Sequence, residues 1–404
     1  MYYSLNKEVF LVQGPVNSLI YDIPNNSLYQ VDKPTHDFII KAVSGEVVDS
    51  HDVELLQELV DSGILVVSDK AVRFQSIDEY LNSNMRKISF AWIELTNSCN
   101  LRCVHCYNEK ADIRKRFMTY DDFVKAVDGL VALGISKIQL IGGEPFTMKR
   151  ELLFDMMDYL SPKVDSFEIF VNGTLTTADD LDEIKRRYSN VAIATSLHSY
   201  IESEHEKVTN VKGSYAKTVA LIRHAKGIGL PVRYVGTLMS NLDIGEQLDF
   251  GNPSRRDYIR MSGRANMKLY NRRLLREKAI TPDYFKFDDL KDRIMYNHNE
   301  SCFATHLYIG SDLNVYPCPM ERRLCHGNLR DGNVGDMLKE DILNYSKANV
   351  DSCKDCEYRY ICLDCRPDSL GGGINEKPWY CTYHPETASW DDFDTFADAL
   401  GINE

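Results

Sequence analysis

Short apolar and polar stretches alternate through residues 1–85 and predict a small domain at the start of the chain. The predicted elements are strands at residues 9–13, 18–22 and 27–31, helices at 36–43 and 53–62, and a closing strand at 63–67. The turn Pro24-Asn-Asn favours a hairpin between the second and third strands. Strands and helices followed by a closing wing indicate a winged-helix-like layout.

Residues 86 to about 285 alternate strand and helix patterns, which is the signal for parallel βα units. Six strands are predicted, at residues 88–96, 137–141, 166–172, 191–196, 231–239 and 257–261. A helix over residues 119–133 begins with Thr119 or its neighbour as cap and has Asp121 and Asp122 in its first turn. We therefore expect an α/β fold with functional residues at the carboxyl ends of the strands.

The eleven cysteines fall in two blocks, three at residues 99–106 and eight at residues 302–381. An odd number of clustered thiols favours metal ligation over disulfides. Cys99, Cys103 and Cys106 have the spacing CxxxCxxC directly after the first predicted βα strand. Three thiols on one loop suit a [4Fe-4S] cube whose fourth iron stays open. A structural zinc site is the alternative, although His105 and Cys106 are adjacent and would not easily reach one ion.

This loop, with Glu94-Leu-Thr-Asn-Ser before it and Tyr107 after it, resembles the signature of the radical S-adenosylmethionine (SAM) superfamily. The resemblance implies that SAM chelates the open iron and is cleaved by one electron to methionine and a 5′-deoxyadenosyl radical. That radical abstracts hydrogen from a substrate. It also implies a partial (β/α)6 TIM barrel. His105 precedes the third cysteine, where the family often has an aromatic residue near the SAM adenine.

Further segments at the predicted strand ends resemble SAM-binding motifs of the same superfamily. By resemblance, the cofactor-binding residues are His105, Gly142, Gly143, Glu144, Pro145, Asn172, Ser196 and Arg264. Glu144 in the GGEP motif would receive the SAM ammonium, Ser196 would hydrogen-bond the ribose, and Asn172 would line the pocket. A simple turn or strand-end capping remains the structural alternative. His205 is expected at the surface.

The C-terminal cysteine block resembles a SPASM domain, which houses auxiliary iron–sulfur clusters. The segment from Ser311 to Cys318 resembles the hairpin with which a SPASM domain begins. By resemblance, the metal ligands of the domain would be Cys302, Cys318, Cys353, Cys356, Cys362, Cys365 and Cys381. By analogy, Cys353, Cys356, Cys362 and Cys381 ligate one [4Fe-4S] cluster, and Cys302, Cys318 and Cys365 hold another. The second cluster would take its fourth ligand from Cys325 or from a non-cysteine residue, or its fourth iron would stay open. Two structural zinc sites are the alternative, since CxxC pairs also bind zinc.

The resemblances divide the chain into three expected domains. Residues 1–85 are similar to the PqqD-like element that binds a leader peptide as an added strand at a sheet edge, with a structural cap as the alternative. Residues 86–295 would form the partial barrel, and residues 296–404 the SPASM domain. Leu313 stands where a glycine is usual in that domain.

Charge and hydropathy exclude some other classes of protein. The net charge of −13 argues against general nucleic-acid binding, because phosphate neutralisation requires an excess of Lys and Arg. No run of 18 apolar residues predicts a membrane span, and the first residues do not resemble a signal peptide. We therefore expect a cytoplasmic protein without a membrane partner.

Together these features predict an oxidoreductase that crosslinks a ribosomally made precursor peptide whose leader is held by residues 1–85. Its cofactors would be SAM, one SAM-binding [4Fe-4S] cluster and two auxiliary clusters, with a reductant such as flavodoxin or ferredoxin. A cyclophane C–C bond or a thioether is the favoured product, and no residue stands out as the general base. The alternatives are a maturase of a protein substrate, of the sulfatase or amine dehydrogenase type, and a non-catalytic zinc-binding scaffold.

Overall fold

The computed structural model describes residues 2–46, 53–70, 72–73, 75–83, 87–108, 115–297 and 301–402. Within these residues the protein is a mixed α/β fold built around a nine-stranded sheet. The boundary predicted between residues 85 and 86 lies outside the described residues. No helix in the described part of the chain has the length and apolar character needed to cross a membrane.

Two small antiparallel sheets and three helices form the N-terminal part. The elements are β1 (Tyr2–Leu5), β2 (Val9–Gln13), β3 (Ser18–Asp22), β4 (Ser27–Val31), α1 (Lys33–Ser44), α2 (Val53–Asp61), β5 (Leu65–Ser68) and α3 (Ile77–Asn82). Strands β2, β3 and β4 form a meander, and β1 pairs with β5. The hairpin between β3 and β4 is confirmed. Strand β1 was not predicted, because its partner lies far along the chain.

Six parallel strands alternate with helices in the central part, which confirms the predicted βα repeat. The elements are β6 (Phe90–Thr96), α4 (Tyr120–Ala132), β7 (Lys137–Gly142), α5 (Arg150–Leu160), β8 (Ser166–Val171), α6 (Ala178–Arg187), β9 (Val191–Ser196), α7 (Glu202–Thr209), α8 (Ser214–Gly227), β10 (Val232–Leu238) and β11 (Arg255–Tyr258). As predicted, Thr119 caps α4 by accepting a hydrogen bond from the backbone N–H of Asp122. Strand β11 begins two residues earlier than predicted, at Arg255.

The C-terminal part extends the same sheet. Its elements are α9 (Arg272–Lys278), α10 (Leu290–Asn297), α11 (Ser301–Thr305), β12 (His306–Ile309), β13 (Asn314–Tyr316), β14 (Gly327–Asn328), α12 (Val334–Met337), α13 (Glu340–Leu343), β15 (Tyr383–His384), β16 (Ser389–Trp390) and α14 (Phe393–Ala399). Strand β12 pairs in parallel with β6, and β13 and β14 follow antiparallel. Leu307 and Val315 pack in the same apolar core as Ile93, so β12 and β13 continue the packing of the central sheet.

The side chains of successive residues in β6 point to opposite faces of the sheet, as strand geometry requires. Ile93 and its odd-numbered neighbours pack in the main core against the helices. On the other face, the Trp92 indole N–H donates to Gln139 Oε1 at 2.8 Å, and the Gln139 amide contacts Glu168. Arg233 Nε donates to Glu168 Oε2 at 2.6 Å. This face of the sheet, opposite the main core, is therefore polar along β6, β7, β8 and β10.

The turn between β12 and β13 contains Leu313, which has a φ of +68°. This left-handed conformation is unfavourable for a side-chain residue and explains why a glycine suits the position. The Leu313 side chain is only 2% exposed and packs in the main core. Burial of the side chain offsets the backbone strain.

Candidate active site

The loop that carries the first three thiols lies at the carboxyl end of β6, as predicted. Burial raises the pKa of the Cys99 thiol to about 11 and that of Cys103 to about 12, and the charge of Cys106 contributes to both shifts. The three sulfurs therefore lie within electrostatic range of one another. Because desolvation and repulsion between neighbouring thiolates keep these groups protonated, binding of a metal or cluster by the thiolates would release protons.

Segments from two distant parts of the chain hold this loop in place. The end of α7 accepts two backbone hydrogen bonds, from Arg102 N to Thr209 O at 3.1 Å and from Val104 N to Val208 O at 3.0 Å. From the other side, Arg264 N donates to Cys106 O at 2.9 Å. Sequence analysis did not identify the anchoring role of α7, since nothing local in the sequence signals these contacts.

The GGEP segment packs directly against the thiol loop. A Cβ on Gly142 would lie 2.5 Å from Thr96 O, and one on Gly143 would lie 2.2 Å from Ser98 O. The two glycines thus allow a close approach to the preceding strand end. Pro145 is buried and begins a short 3-10 helix, Pro145–Thr147, which Glu144 caps.

The Glu144 carboxylate is fully buried and links the GGEP segment to the end of β8. Its Oε1 accepts from Phe146 N at 3.0 Å, and its Oε2 accepts from Asn172 N at 2.6 Å. Burial raises its pKa to about 7, although both backbone hydrogen bonds oppose the shift. A cationic ligand next to this carboxylate would favour its ionised form.

Asn172 connects β8 to the thiol loop. Its Nδ2 donates to Asn100 Oδ1 at 2.9 Å and lies 3.8 Å from the Cys99 sulfur. Ser196 ends β9 and is half-buried. The Arg264 guanidinium donates to the Cys103 carbonyl oxygen at 3.3 Å, so Arg264 contacts the thiol loop itself.

Three histidine rings, beginning with His105 of the loop itself, contact one another in series. His105 meets His198 edge to face with ring centroids 4.9 Å apart, and His198 stacks on His205 at 5.5 Å. His205 is 1% exposed, so the expectation of a surface position was wrong. Its helix α7 has acidic and basic neighbours on either side, which suggested solvent exposure, but His205 faces inward.

The second group of thiols is Cys302, Cys318 and Cys365. Burial raises the pKa of Cys318 to about 11, and the charge of Cys302 adds to the shift. Burial also raises the pKa of Cys365 to about 12, with a contribution from Cys318 and an opposing hydrogen bond from Arg260. The Cys325 thiol donates to Gly327 O at 3.4 Å and packs against a small group of buried apolar side chains that includes Tyr308.

The third group is Cys353, Cys356, Cys362 and Cys381, the set expected to ligate one auxiliary cluster. All four line one cavity, together with Lys347 and other residues. Burial raises the pKa of Cys362 to about 12, Lys347 opposes the shift, and the other three thiols reinforce it. The four sulfurs therefore converge, and a nearby cation would help to stabilise their thiolate forms.

The donors in all three groups are thiols, which ligate iron–sulfur clusters as well as zinc. Among the described residues, no three His, Cys, Asp or Glu side chains are arranged to hold one metal ion. Thiolates of a [4Fe-4S] cube bind separate irons and stand farther apart than the ligands of one tetrahedral zinc ion. Groups of 3, 3 and 4 thiols would supply the ligands of three such clusters.

Comparisons with known proteins agree with this chemistry. A family model described as the radical SAM superfamily matches residues 93–249. In Bacillus subtilis (strain 168), the subtilosin biosynthesis protein AlbA is 30% identical over 143 residues, which are 35% of this chain and 32% of AlbA. The sporulation killing factor maturation protein SkfB of the same organism is 23% identical over 300 residues, 69% of this chain and 70% of SkfB.

GTP 3′,8-cyclase of Clostridium botulinum (strain Hall) is 27% identical over 181 residues, 44% of this chain and 56% of the cyclase. The chain thus spans about a third of AlbA and about half of the cyclase. Among solved structures, Streptococcus suis SuiB bound to SAM has a TM-score of 0.50 and 13% identity, covering 92% of this chain and 99% of SuiB. The structure of anSMEcpe with SAM and a peptide has a TM-score of 0.53 and 13% identity, and the match covers 77% of this chain and 98% of anSMEcpe. The likeness to both structures is one of fold.

Proposed function

Because residues 93–249 form a radical SAM domain, we propose that this enzyme matures a ribosomally made precursor peptide by radical hydrogen abstraction. SAM bound at a [4Fe-4S] cluster supplies a 5′-deoxyadenosyl radical for that chemistry. The observation that carries the proposal is the packing of the buried Glu144 against the loop of Cys99, Cys103 and Cys106: Glu144 N donates to Ser98 O at 2.7 Å, and Asn172 contacts both the Glu144 carboxylate and the Cys99 sulfur. The three thiols would ligate the cluster, and Glu144 would supply a carboxylate beside the loop that holds it.

Each predicted SAM contact has a role in the proposal. The three thiols hold the first cluster, and Glu144 retains acceptor capacity for an ammonium beyond its two backbone hydrogen bonds. Asn172 orients the loop through Asn100, and Ser196 offers a hydroxyl at the next strand end. His105, Gly142, Gly143, Pro145 and Arg264 shape the loop and its surroundings.

The two remaining thiol groups hold auxiliary clusters in this proposal. Cys353, Cys356, Cys362 and Cys381 provide four ligands around one cavity, which suits a fully ligated cluster. Cys302, Cys318 and Cys365 provide three, so this cluster has a position for a further ligand. Auxiliary clusters can accept an electron from a substrate radical, and a reductant such as flavodoxin or ferredoxin would supply electrons to the first cluster.

Residues 1–85 are proposed to bind the leader of the precursor peptide. The β2–β3–β4 meander has two edges, and β4 is the more exposed edge strand. An extended leader can add to such an edge through main-chain hydrogen bonds. Tyr29 of β4 is 41% exposed and would contact the leader side chains.

The relatives AlbA and SkfB support a peptide substrate, since one is named for subtilosin biosynthesis and the other for killing-factor maturation. The bond formed in this chain's product is proposed to be a cyclophane C–C bond or a thioether. Either crosslink joins two substrate atoms and removes two hydrogen atoms in total. The test therefore measures the mass of the peptide product, which changes in the same way whichever bond forms.

The experiment is coexpression with each short reading frame that neighbours the gene, followed by mass spectrometry of the peptide. We expect one peptide to lose the mass of two hydrogen atoms per crosslink with the wild-type enzyme and to remain unchanged with Cys99→Ala. Fragmentation would locate the crosslink. Modification of a large neighbouring protein with every short peptide unchanged would replace the peptide substrate with a protein substrate.

A further inference from the structure

A cavity of about 390 Å³ lies between the first and second thiol groups. Tyr107 and Asn108, which follow Cys106, form one wall, and the segment after Cys318 forms another. The chain neighbours of Cys106 and of Cys318 thus line the same cavity, which places it between the first and second thiol groups.

The carboxylates of this cavity already have hydrogen-bond donors. Glu94 Oε2 accepts from the backbone N–H of Ser311 at 2.9 Å and from its hydroxyl at 2.7 Å. Both oxygens of Asp312 accept hydrogen bonds from Asn314, at 3.2 and 2.9 Å. An incoming donor would have to compete with these contacts.

The cationic and amide groups of the cavity have unused donors. Asn108 is 6% exposed, and its Nδ2 has no hydrogen-bond partner within the described residues. Arg322 uses Nε for Pro319 O at 3.1 Å and Nη2 for Tyr308 Oη at 2.7 Å. Its approach to Glu94 is long, 3.4 Å, and the Arg116 to Asp312 ion pair is 3.5 Å. Charge-assisted hydrogen bonds normally measure about 2.7–2.9 Å, so both guanidinium groups retain donor capacity.

We propose that this cavity binds a carboxylate of the substrate peptide through Asn108, Arg116 and Arg322. An acceptor at this place would satisfy the buried Asn108 amide, which has no hydrogen-bond partner within the described residues. Two guanidinium groups with spare N–H donors favour a carboxylate over a neutral amide. The carboxylate belongs to an Asp or Glu side chain or to a peptide C-terminus.

The cavity differs from the proposed SAM site. Among the described residues, those that line the cavity include Glu94, Tyr107 and Arg322. The residues proposed to contact SAM at the strand ends, Glu144, Asn172 and Ser196, do not line it. The inference rests on the proposed function, because it assigns the cavity to that enzyme's peptide. It adds the chemical class of the residue that sits between the two thiol groups.

The test measures binding of three small probes to the iron-loaded full chain without SAM or reductant, by ligand-observed NMR. The probes are N-acetyl-aspartic acid α-amide, N-acetyl-alanine and N-acetyl-asparagine α-amide. They present a side-chain carboxylate, a C-terminal carboxylate and a neutral amide. We expect at least one carboxylate probe to bind about tenfold or more tightly than the neutral probe. The probe that binds identifies the source of the carboxylate.

Asn108→Leu and Arg116→Gln should each remove most of this preference, whereas Arg276→Gln, an exposed arginine on α9, should leave it unchanged. Arg116 is half-exposed, so its variant tests the inference even if Asn108→Leu does not fold. Equal binding of all probes, no binding of any, or full preference in the Arg116 variant would overturn the inference.

A separate assay of deoxyadenosine formation distinguishes the two proposals. Deoxyadenosine without carboxylate preference removes only the cavity assignment. If protein with full iron content prefers the carboxylate probes but forms no deoxyadenosine, the proposed function is refuted instead.

Discussion

The Tyr21 phenol donates a hydrogen bond of 2.5 Å to the backbone carbonyl oxygen of Glu357. Glu357 directly follows Cys356, so the N-terminal meander rests on the loop of the third thiol group. Arg359 Nη1 strengthens this contact by donating to Gln13 O at 2.9 Å. A Cβ on Gly14 would lie 2.5 Å from Glu357 Oε2, which shows how closely the two parts approach. The sheet that is proposed to bind the leader and the loop of the third thiol group thus share one packed interface.

Tyr21→Phe should loosen this interface. The substitution leaves a buried carbonyl without its donor, which costs about 1–3 kcal/mol. Hydrogen exchange in β2–β4 of the iron-loaded protein should become faster by a corresponding factor. Tyr29→Phe, on the exposed strand β4 of the same sheet, is the matched control and should leave exchange unchanged. Equal exchange in both variants would show that the phenol does not fasten the sheet.

Gly143→Ala should displace the thiol loop. The added methyl would lie 2.2 Å from Ser98 O, next to Cys99, so the backbone must move. We expect loss of the first cluster's share of iron and loss of deoxyadenosine formation. Gly227→Ala is the control: it lies in α8, and no atom is within 4 Å of its added Cβ. Iron per chain would be measured in both, and normal iron in Gly143→Ala would refute the close-packing argument.

Leu313 allows a comparison of strain with packing. Leu313→Ala keeps the positive φ and loses buried side-chain volume, which costs about 2–5 kcal/mol. Leu313→Gly loses slightly more volume but relieves about 1–2 kcal/mol of backbone strain. We therefore expect the glycine variant to be the more stable of the two in chemical denaturation. The reverse order would mean that the turn tolerates the left-handed conformation without strain.

His205 should make the stability of the protein depend on pH. Burial lowers its pKa to about 4, and its Nδ1 accepts from His198 N at 3.3 Å. As the pH falls below about 6.5, the unfolded chain takes up this proton first, so stability is lost towards acid. His205→Asn retains an acceptor near Nδ1 but no titrating ring. Between pH 8 and 5.5 the wild type should lose about 1 kcal/mol more than the variant in denaturant titrations. Equal losses would contradict a neutral buried ring.

Local patterns in the sequence predicted the elements whose signals are short-range. Strand β9 has the predicted bounds, and Thr119 caps α4, because apolar spacing and a capping side chain are visible within a few residues. The glycines at 142 and 143 were identified from a motif, but their contacts with Thr96 and Ser98 needed the fold.

Long-range contacts explain what the sequence did not reveal. Strand β1 is short and pairs with β5, which follows two intervening helices. The carbonyl groups at the end of α7 that hold the thiol loop carry no side-chain signature. His205 lies among charged neighbours, yet the turn of the helix directs it inward onto His198. In each case the deciding partner is distant in the chain.

The most direct test of the central claim is deoxyadenosine formation by anaerobically purified protein after addition of SAM and a strong reductant. Iron content should be about twelve atoms per chain for three cubes, and about eight when Cys99, Cys103 and Cys106 are all replaced by Ala. We predict deoxyadenosine from the wild type and none from the triple variant. Zinc in place of iron, or no deoxyadenosine from fully iron-loaded wild-type protein, would contradict the account.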